Sequence, residues 1–189
     1  IEHIAFTNSG SRPTNQDAYF ADKNLFIVCD GVGGNAYGEV ASKIACTSLA
    51  HYFAENPTTT YDYPYLSRAL HRTVQQFKET TNKYPETKGM ATTVALIVFN
   101  KAGANIAWLG DSRVYHIRHG QILFVTEDHS LINELSKKGE DTSAIKKNFI
   151  TKSLNAKADS EFSIQTLLET EIQKGDYFFL CTDGVLENI

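Results

Sequence analysis

Two stretches of the chain carry the same chemical pattern. Phe26-Ile27-Val28-Cys29-Asp30-Gly31-Val32 and Phe178-Phe179-Leu180-Cys181-Thr182-Asp183-Gly184-Val185 each run an apolar, strand-like segment into an aspartate and a glycine. A carboxylate at the end of a buried strand is held by the core and projects from the sheet edge. The glycine lets the backbone turn sharply and bring its own carbonyl close to a ligand. Ala107-Trp108-Leu109-Gly110-Asp111-Ser112-Arg113 delivers Asp111 in the same way, and Asp17 follows Asn15-Gln16. Taken singly, an Asp-Gly pair does no more than mark a turn. Four aspartates brought together would repel one another, and such a group is stable when cations neutralise it. Carboxylate and carbonyl oxygens are the ligands that hard divalent cations prefer. The expected chemistry is a multi-metal oxygen site, provided that the strand ends converge.

Strands and helices must position these acids. His3–Thr7 reads as a strand, followed by a polar loop through Pro13, and Leu25–Cys29 as a β-prone run stopped by Asp30-Gly31. From Glu39 to about Ala54 the period becomes helical, with Val40, Ala41, Ile44, Ala45, Leu49 and Phe53 on one face. A second helix is expected from about Tyr65 to Lys83. Thr92–Phe99, Asn105–Leu109, Val114–Arg118 and Gln121–Thr126 are short β-branched or aromatic runs, with hairpin turns at Ala102-Gly103 and His119-Gly120. Strands so close together pair antiparallel, because a parallel pair needs a long crossover. Asp128–Lys138 reads as a short helix with Leu131, Ile132 and Leu135 inward and Gly139 as its stop. Phe162–Leu168 and Tyr177–Thr182 add strands, and the chain ends on what reads as the first turn of another helix. This is an α+β layered domain. Pattern alone leaves open whether the strands make one sheet or two.

Composition narrows the function classes. The 189 residues are 42% apolar, with 11 Phe and 9 Tyr, enough for one domain with a sizeable core. A formal charge of −4 argues against a nucleic-acid or anionic-membrane surface, which calls for a basic patch. The longest apolar runs, Thr93–Phe99 and Phe178–Cys181, fall far short of the roughly 20 residues that span a bilayer. No secretory signal opens the chain, although its first residue is Ile rather than Met. Cys29, Cys46 and Cys181 are odd in number and lack C-x-x-C spacing, so they read as buried reduced thiols of a cytoplasmic protein.

Seven segments occur in a telling order: Gly10-Ser11-Arg12-Pro13-Thr14-Asn15-Gln16-Asp17, Asp30-Gly31-Val32-Gly33-Gly34, Gly38-Glu39-Val40-Ala41-Ser42, Ala91-Thr92-Thr93, Gly110-Asp111-Ser112-Arg113, Thr126-Glu127-Asp128-His129-Ser130 and Thr182-Asp183-Gly184. Together they resemble the bacterial branch of the metal-dependent protein phosphatases of the 2C type. The resemblance implies a four-layer α-β-β-α sandwich, two antiparallel sheets each flanked by a helix pair. It implies two catalytic ions, Mn²⁺ or Mg²⁺, and a third, looser one in bacterial relatives. By the same resemblance Asp30 bridges the two metals, Gly31 offers its carbonyl, Asp183 binds the second metal, and Asp17 acts on the site through bound water. Asp111 and Glu187 match ligands of the looser metal, and Arg12 matches the phosphate-binding arginine. The implied reaction is in-line attack of a metal-activated water on phosphoserine or phosphothreonine. The guanidinium grips two phosphate oxygens at once. No phospho-enzyme is needed, and the Cys-x5-Arg signature of one is absent from the sequence. The substrate is then a phosphorylated protein, such as the product of a bacterial serine/threonine kinase, and the enzyme is expected to be a monomer.

Other residues call for plainer readings. Arg113 is expected to pair a carboxylate, His129 to orient a loop rather than catalyse, and Trp108 to sit in the core. Glu39 and Ser42 are expected to start and pack the first helix, Glu39 with help from the helix dipole.

The sequence also departs from the family pattern. Val32 stands where eukaryotic relatives place a histidine proposed as general acid, and it cannot donate a proton. Asn35 replaces a common His, and Asn155 a common Gly. The family closes with a further helix, strands and an Asp-Asn pair whose Asp ligates a catalytic metal, and residues 1–189 stop before it. The expectation is a single phosphatase catalytic domain that lacks this C-terminal part and is weak or inactive as it stands. Two further readings remain: a non-catalytic phosphatase-like binding or regulatory domain, and a hydrolase of small phosphate esters. Retention of the acids favours catalysis, since a binding module does not need so many crowded like charges.

Overall fold

The structure is a computed structural model that describes residues 1–32, 37–145, 149–157 and 161–185. Its centre is β4 (Val94–Asn100), whose run Val94-Ala95-Leu96-Ile97-Val98 is buried on both faces. The period of two divides that run. Val94, Leu96 and Val98 join a core shared with helices α1 (Gly38–Glu55) and α2 (Tyr63–Lys83). Ala95 and Ile97 join a second core with Ile106, Trp108 and Val114, against which Phe178 and Leu180 pack. One sheet is therefore covered by helices on one side and by another sheet on the other, which explains an apolar run without alternation.

The larger sheet is antiparallel, in the order β1 (Asp17–Asp22), β2 (Leu25–Asp30), β4, β5 (Gly103–Leu109), β9 (Ser163–Leu168). The second has the order β10 (Tyr177–Cys181), β6 (Arg113–Arg118), β7 (Gln121–Val125). A two-stranded piece pairs β3 (Ala91–Thr92) with β8 (Leu154–Asn155). Hairpins β4–β5 and β6–β7 form as the turn residues predict, His119 and Gly120 taking the two positive φ values of a tight primed turn. β5 and β6, although adjacent in sequence, do not pair. At Gly110–Ser112 the chain crosses from one sheet to the other, and this puts Asp111 at the end of the sandwich.

Three expectations are corrected. His3–Thr7 is not a strand: it is exposed and unpaired with any strand among the described residues, held only at its ends, by the His3 ring 5.3 Å from that of Phe26 and by the Asn15 side-chain N–H donating to Thr7 Oγ1 at 2.7 Å. The N-terminal strand is instead β1, at the sheet edge. Thr92–Phe99 is not continuous, because β3 and β4 break at Thr93, whose hydroxyl oxygen, and not its backbone carbonyl, accepts the N–H of Asp30. The short helix α3 runs Leu131–Lys137, capped by the Ser130 hydroxyl, and its Leu131, Ile132 and Leu135 are only half-buried. Gly139 does end it, with φ at 74° and the Glu140 N–H reaching back to Leu135.

Among the described residues helices cover only the outer face of the larger sheet. The outer face of the smaller one carries exposed Tyr177, Phe179, Ile122 and Val125. Cys29, Cys46 and Cys181 are buried free thiols, as expected. No described helix is long and apolar enough to cross a membrane.

Candidate metal centre

The register of β1 against β2 sets Asp17 directly opposite Asp30. Like charges facing one another across a ladder are destabilising. β10 arrives at the same place from the other sheet: the Thr182 hydroxyl just beyond it donates to Asp17 Oδ2 at 3.2 Å, and Asp183 follows in a 3₁₀ turn. The Asp30 carboxyl lies within hydrogen-bonding reach of those of Asp17 and Asp183, and it feels the charge of Asp111. The four aspartates expected to converge from distant parts of the chain therefore do so. Glu187 lies outside the described residues, as does Asn35.

Crowding and burial set the electrostatics. Asp30 is 9% exposed; its burial, and then the charges of Asp17 and Asp183, push its carboxyl from 3.8 up to about 9. Burial first, and the charge of Asp183 second, raise Asp111 to about 6. Asp17 is raised by burial, against opposing hydrogen bonds and the positive charge of Arg12. Among the described residues no three His, Cys, Asp or Glu side chains surround one point at ligand spacing. The Asp30 carboxyl instead meets those of Asp17 and Asp183, one on each side, and these two feel each other's charge. Acids so crowded either keep protons or take up a positive ion. The donor set is oxygen only, which fits a hard divalent cation and not a soft one.

A pH dependence follows. The unfolded chain releases the Asp30 proton near pH 4 while the metal-free fold retains it, so metal-free stability falls as pH rises from about 4 towards 9. A divalent cation competes with that proton, so Mn²⁺ should raise the melting temperature more at pH 8.5 than at pH 6. Melting curves with and without Mn²⁺ at the two pH values check this. An equal Mn²⁺ shift at both would contradict it.

The backbone around Asp30 is fixed with unusual density. Its carbonyl accepts from the Thr93 N–H and from the Thr92 hydroxyl, each at 2.8 Å. Its own N–H donates to Thr93 Oγ1 at 3.0 Å, and that oxygen lies 2.6 Å from Ser112 Oγ. Sequence reasoning noted the Ala91-Thr92-Thr93 segment but assigned these threonines no part in the site. The available signal was two hydroxyls at the mouth of an otherwise wholly apolar strand. Gly31 donates its N–H to Gln16 O at 2.9 Å. A Cβ on Gly31 would lie 2.3 Å from the Gly38 carbonyl carbon, so the two glycines let the chain close back on itself beside Asp30.

The remaining candidates fall into place around the cluster. Arg12 is exposed in a turn whose N–H bonds Ser9 O; its charge reaches Asp17, and it forms no ion pair among the described residues. Arg113 is held as expected, by a bidentate pair to Asp128 at 2.7 and 2.6 Å. His129 orients a loop: its Nδ1 accepts from the Gly110 N–H at 3.1 Å, and its own N–H donates to Gly110 O. Its Nε2 then carries the proton towards Ser163 Oγ, 2.8 Å away, and the ring stacks on Trp108. Clefts of about 240 and 270 Å³ lie elsewhere, between α2 and β9 and beside His129, and none of the four aspartates lines either. The charge cluster, not cavity size, marks the site.

The chain resembles known proteins along nearly its whole length. The family described as Protein phosphatase 2C matches residues 8–189. The chain is similar to Protein phosphatase PhpP of Streptococcus pneumoniae, 30% identical over 201 residues that take in 100% of this chain and 80% of that protein. It is also similar to Serine/threonine protein phosphatase PstP of Mycobacterium tuberculosis, 29% identical over 94% of this chain. There the chain spans only 35% of the relative's length. Among solved structures, the catalytic domain of PstP in complex with two manganese ions superposes with a TM-score of 0.80 at 28% identity, covering 94% of this chain and 75% of that one.

Proposed function

The chain belongs to the protein phosphatase 2C family, a family of metal-dependent serine/threonine phosphatases, and from that premise we propose that it hydrolyses phosphoserine and phosphothreonine in proteins. One observation carries the proposal. Asp17, Asp30, Asp111 and Asp183, from both sheets, gather at one end of the sandwich although their mutual repulsion opposes it. Such an arrangement costs stability unless it serves a cation. The relatives' names support the substrate class, and two manganese ions in the PstP structure support the metal.

In this reading Asp30 and Asp183 hold the catalytic ions with the Gly31 carbonyl, Asp17 acts beside them, and Asp111 serves a third, looser ion with Glu187. Mn²⁺ or Mg²⁺, when bound, supplies an activated water for attack on phosphorus. The protein's own residues do the rest. Arg12 clamps the phosphoryl oxygens and spreads their charge. Val32 has no proton to give, so the chain offers no side-chain acid at that position. Retention of all four aspartates favours catalysis over the non-catalytic binding or regulatory reading. Residues 1–189 form one catalytic domain, weakly active as they stand and a monomer of the cytoplasm, whose substrates are the products of a serine/threonine kinase.

The test is phosphate release from a phosphothreonine peptide with Mn²⁺, with Mg²⁺, and with excess chelator. Release is expected only with a metal present. Undiminished release in chelator would refute the metal mechanism, and tight peptide binding without turnover under all conditions would favour the binding domain.

A further inference from the structure

We propose that Thr93 is a positioning residue that couples the Asp30 end of the site to the Asp111 loop, so that the two metal positions are set together. The inference rests on the metal reading above.

The side chain stands between two segments that share no strand pairing. On one side its Oγ1 accepts from the Asp30 N–H at 3.0 Å; on the other the same oxygen lies 2.6 Å from Ser112 Oγ. Its Cγ2 packs against Gly110 so closely that a Cβ there would lie 2.6 Å away. Thr93 is 2% exposed and Ser112 1%, so water does not replace these contacts. The Asp30 N–H is the donor and Thr93 Oγ1 its acceptor. The Thr93 hydroxyl proton then goes to Ser112, or the Ser112 proton to Thr93, and either way the pair is closed. One short side chain thus reads the position of the residue beside one ligand and passes it to the neighbour of another. The ladder between β2 and β4 changes hands at Thr93: its N–H still donates to Asp30 O, the partner that the register gives it, but the Asp30 N–H goes to Thr93 Oγ1 and not to a backbone carbonyl.

The structure separates hydroxyl from shape. Valine keeps the methyl against Gly110 and loses the oxygen, leaving a buried Asp30 N–H unpaired. Serine keeps the oxygen and loses the methyl. Ser112→Ala removes the far half of the bridge and leaves Asp30 bonded. The experiment is Mn²⁺ binding to the substrate-free protein, read from the electron paramagnetic resonance of unbound Mn²⁺, with melting curves to confirm folding. Thr93→Val is expected to weaken binding by about 10-fold or more, the range of outer-sphere substitutions in metal sites. Thr93→Ser should restore it to within about 2-fold of the parent, since the oxygen is what acts. Ser112→Ala should weaken chiefly the looser class of ion. Thr93→Val combined with Ser112→Ala should be no worse than Thr93→Val alone, because the bridge is one interaction. Parent-like binding by Thr93→Val, failure of Thr93→Ser to rescue, or additive losses in the double variant would each overturn the coupling while leaving the metal site intact. Should Thr93→Val not fold, the Ser112→Ala isotherm decides, and parent-like binding at both classes overturns the proposal. A parent protein that binds no Mn²⁺ would overturn the proposed function itself, and the coupling with it.

Discussion

Asp30→Asn is expected to reduce metal-dependent phosphate release at least about 10²-fold, the upper end of what even residues one step removed from a metal cost, and at the same time to stabilise the metal-free protein. The two effects share one cause. Asn keeps the shape and the backbone bonds to Thr92 and Thr93 but removes the charge that Asp17 and Asp183 oppose. Sign matters here. The folded-state value of Asp30 is raised from 3.8 to about 9, so above about pH 4 the unfolded chain gains from ionisation and the fold does not. Asn cannot ionise, and that penalty disappears. Without metal the variant should therefore melt higher than the parent at pH 8, with the difference shrinking towards pH 4. With Mn²⁺ present the order should reverse, because only the parent binds the ion tightly. Lower metal-free stability in Asp30→Asn, together with retained activity, would show that the carboxyls are not held against their mutual repulsion for a cation.

Much of this arrangement was legible before any coordinates, and the reasons are local. β2 and β5 are mostly buried apolar runs and β10 is an apolar run with one face outward, and in each the strand formers stop where an aspartate begins; β4 ends on the turn before Gly103. α1 and α2 show their period over 18 and 21 residues, long enough for one face to stand out. What escaped depended on pairing. Ile4-Ala5-Phe6-Thr7 looks more strand-like than Asp17-Ala18-Tyr19-Phe20, yet a strand exists only where another backbone answers its N–H and C=O groups. β1 has β2 to answer it through the two-residue turn at Lys23-Asn24, and the Ile4–Thr7 stretch has no strand beside it among the described residues. Because β1 was not anticipated, neither was the register that places Asp17 against Asp30. The Thr93 bridge escaped for a related reason: no pattern in one stretch announces a hydroxyl contact 19 residues away in sequence. Residue type foretold which groups would carry charge to the site, and long-range geometry decided what holds them there.

Gly31→Ala should be nearly as damaging as removing the ligand, although it adds only a methyl group. The added Cβ would lie 2.3 Å from both the carbonyl carbon and oxygen of Gly38 and 2.6 Å from its Cα. These are backbone atoms at the start of α1, so no rotamer change relieves the clash. Gly38 begins a helix whose Ala41, Ala45 and Leu49 are buried in the core against β2, and that packing resists moving the helix. Gly31 is tied from the other side by its N–H to Gln16 O and by the bridge to Thr92. One of these must give by about an ångström. Overpacking of this kind costs about 1–3 kcal/mol, and an ångström of displacement next to reacting groups costs on the order of 10²-fold in rate. Gly38→Ala supplies the comparison. Its Cβ would meet Gln16 Nε2 at 3.0 Å and Gly31 C at 3.1 Å, and the first is the free end of a long side chain. It should melt close to the parent and keep most of its activity. If Gly31→Ala were as benign as Gly38→Ala in both melting and turnover, the close approach of these two backbones would not be what holds Asp30 in place.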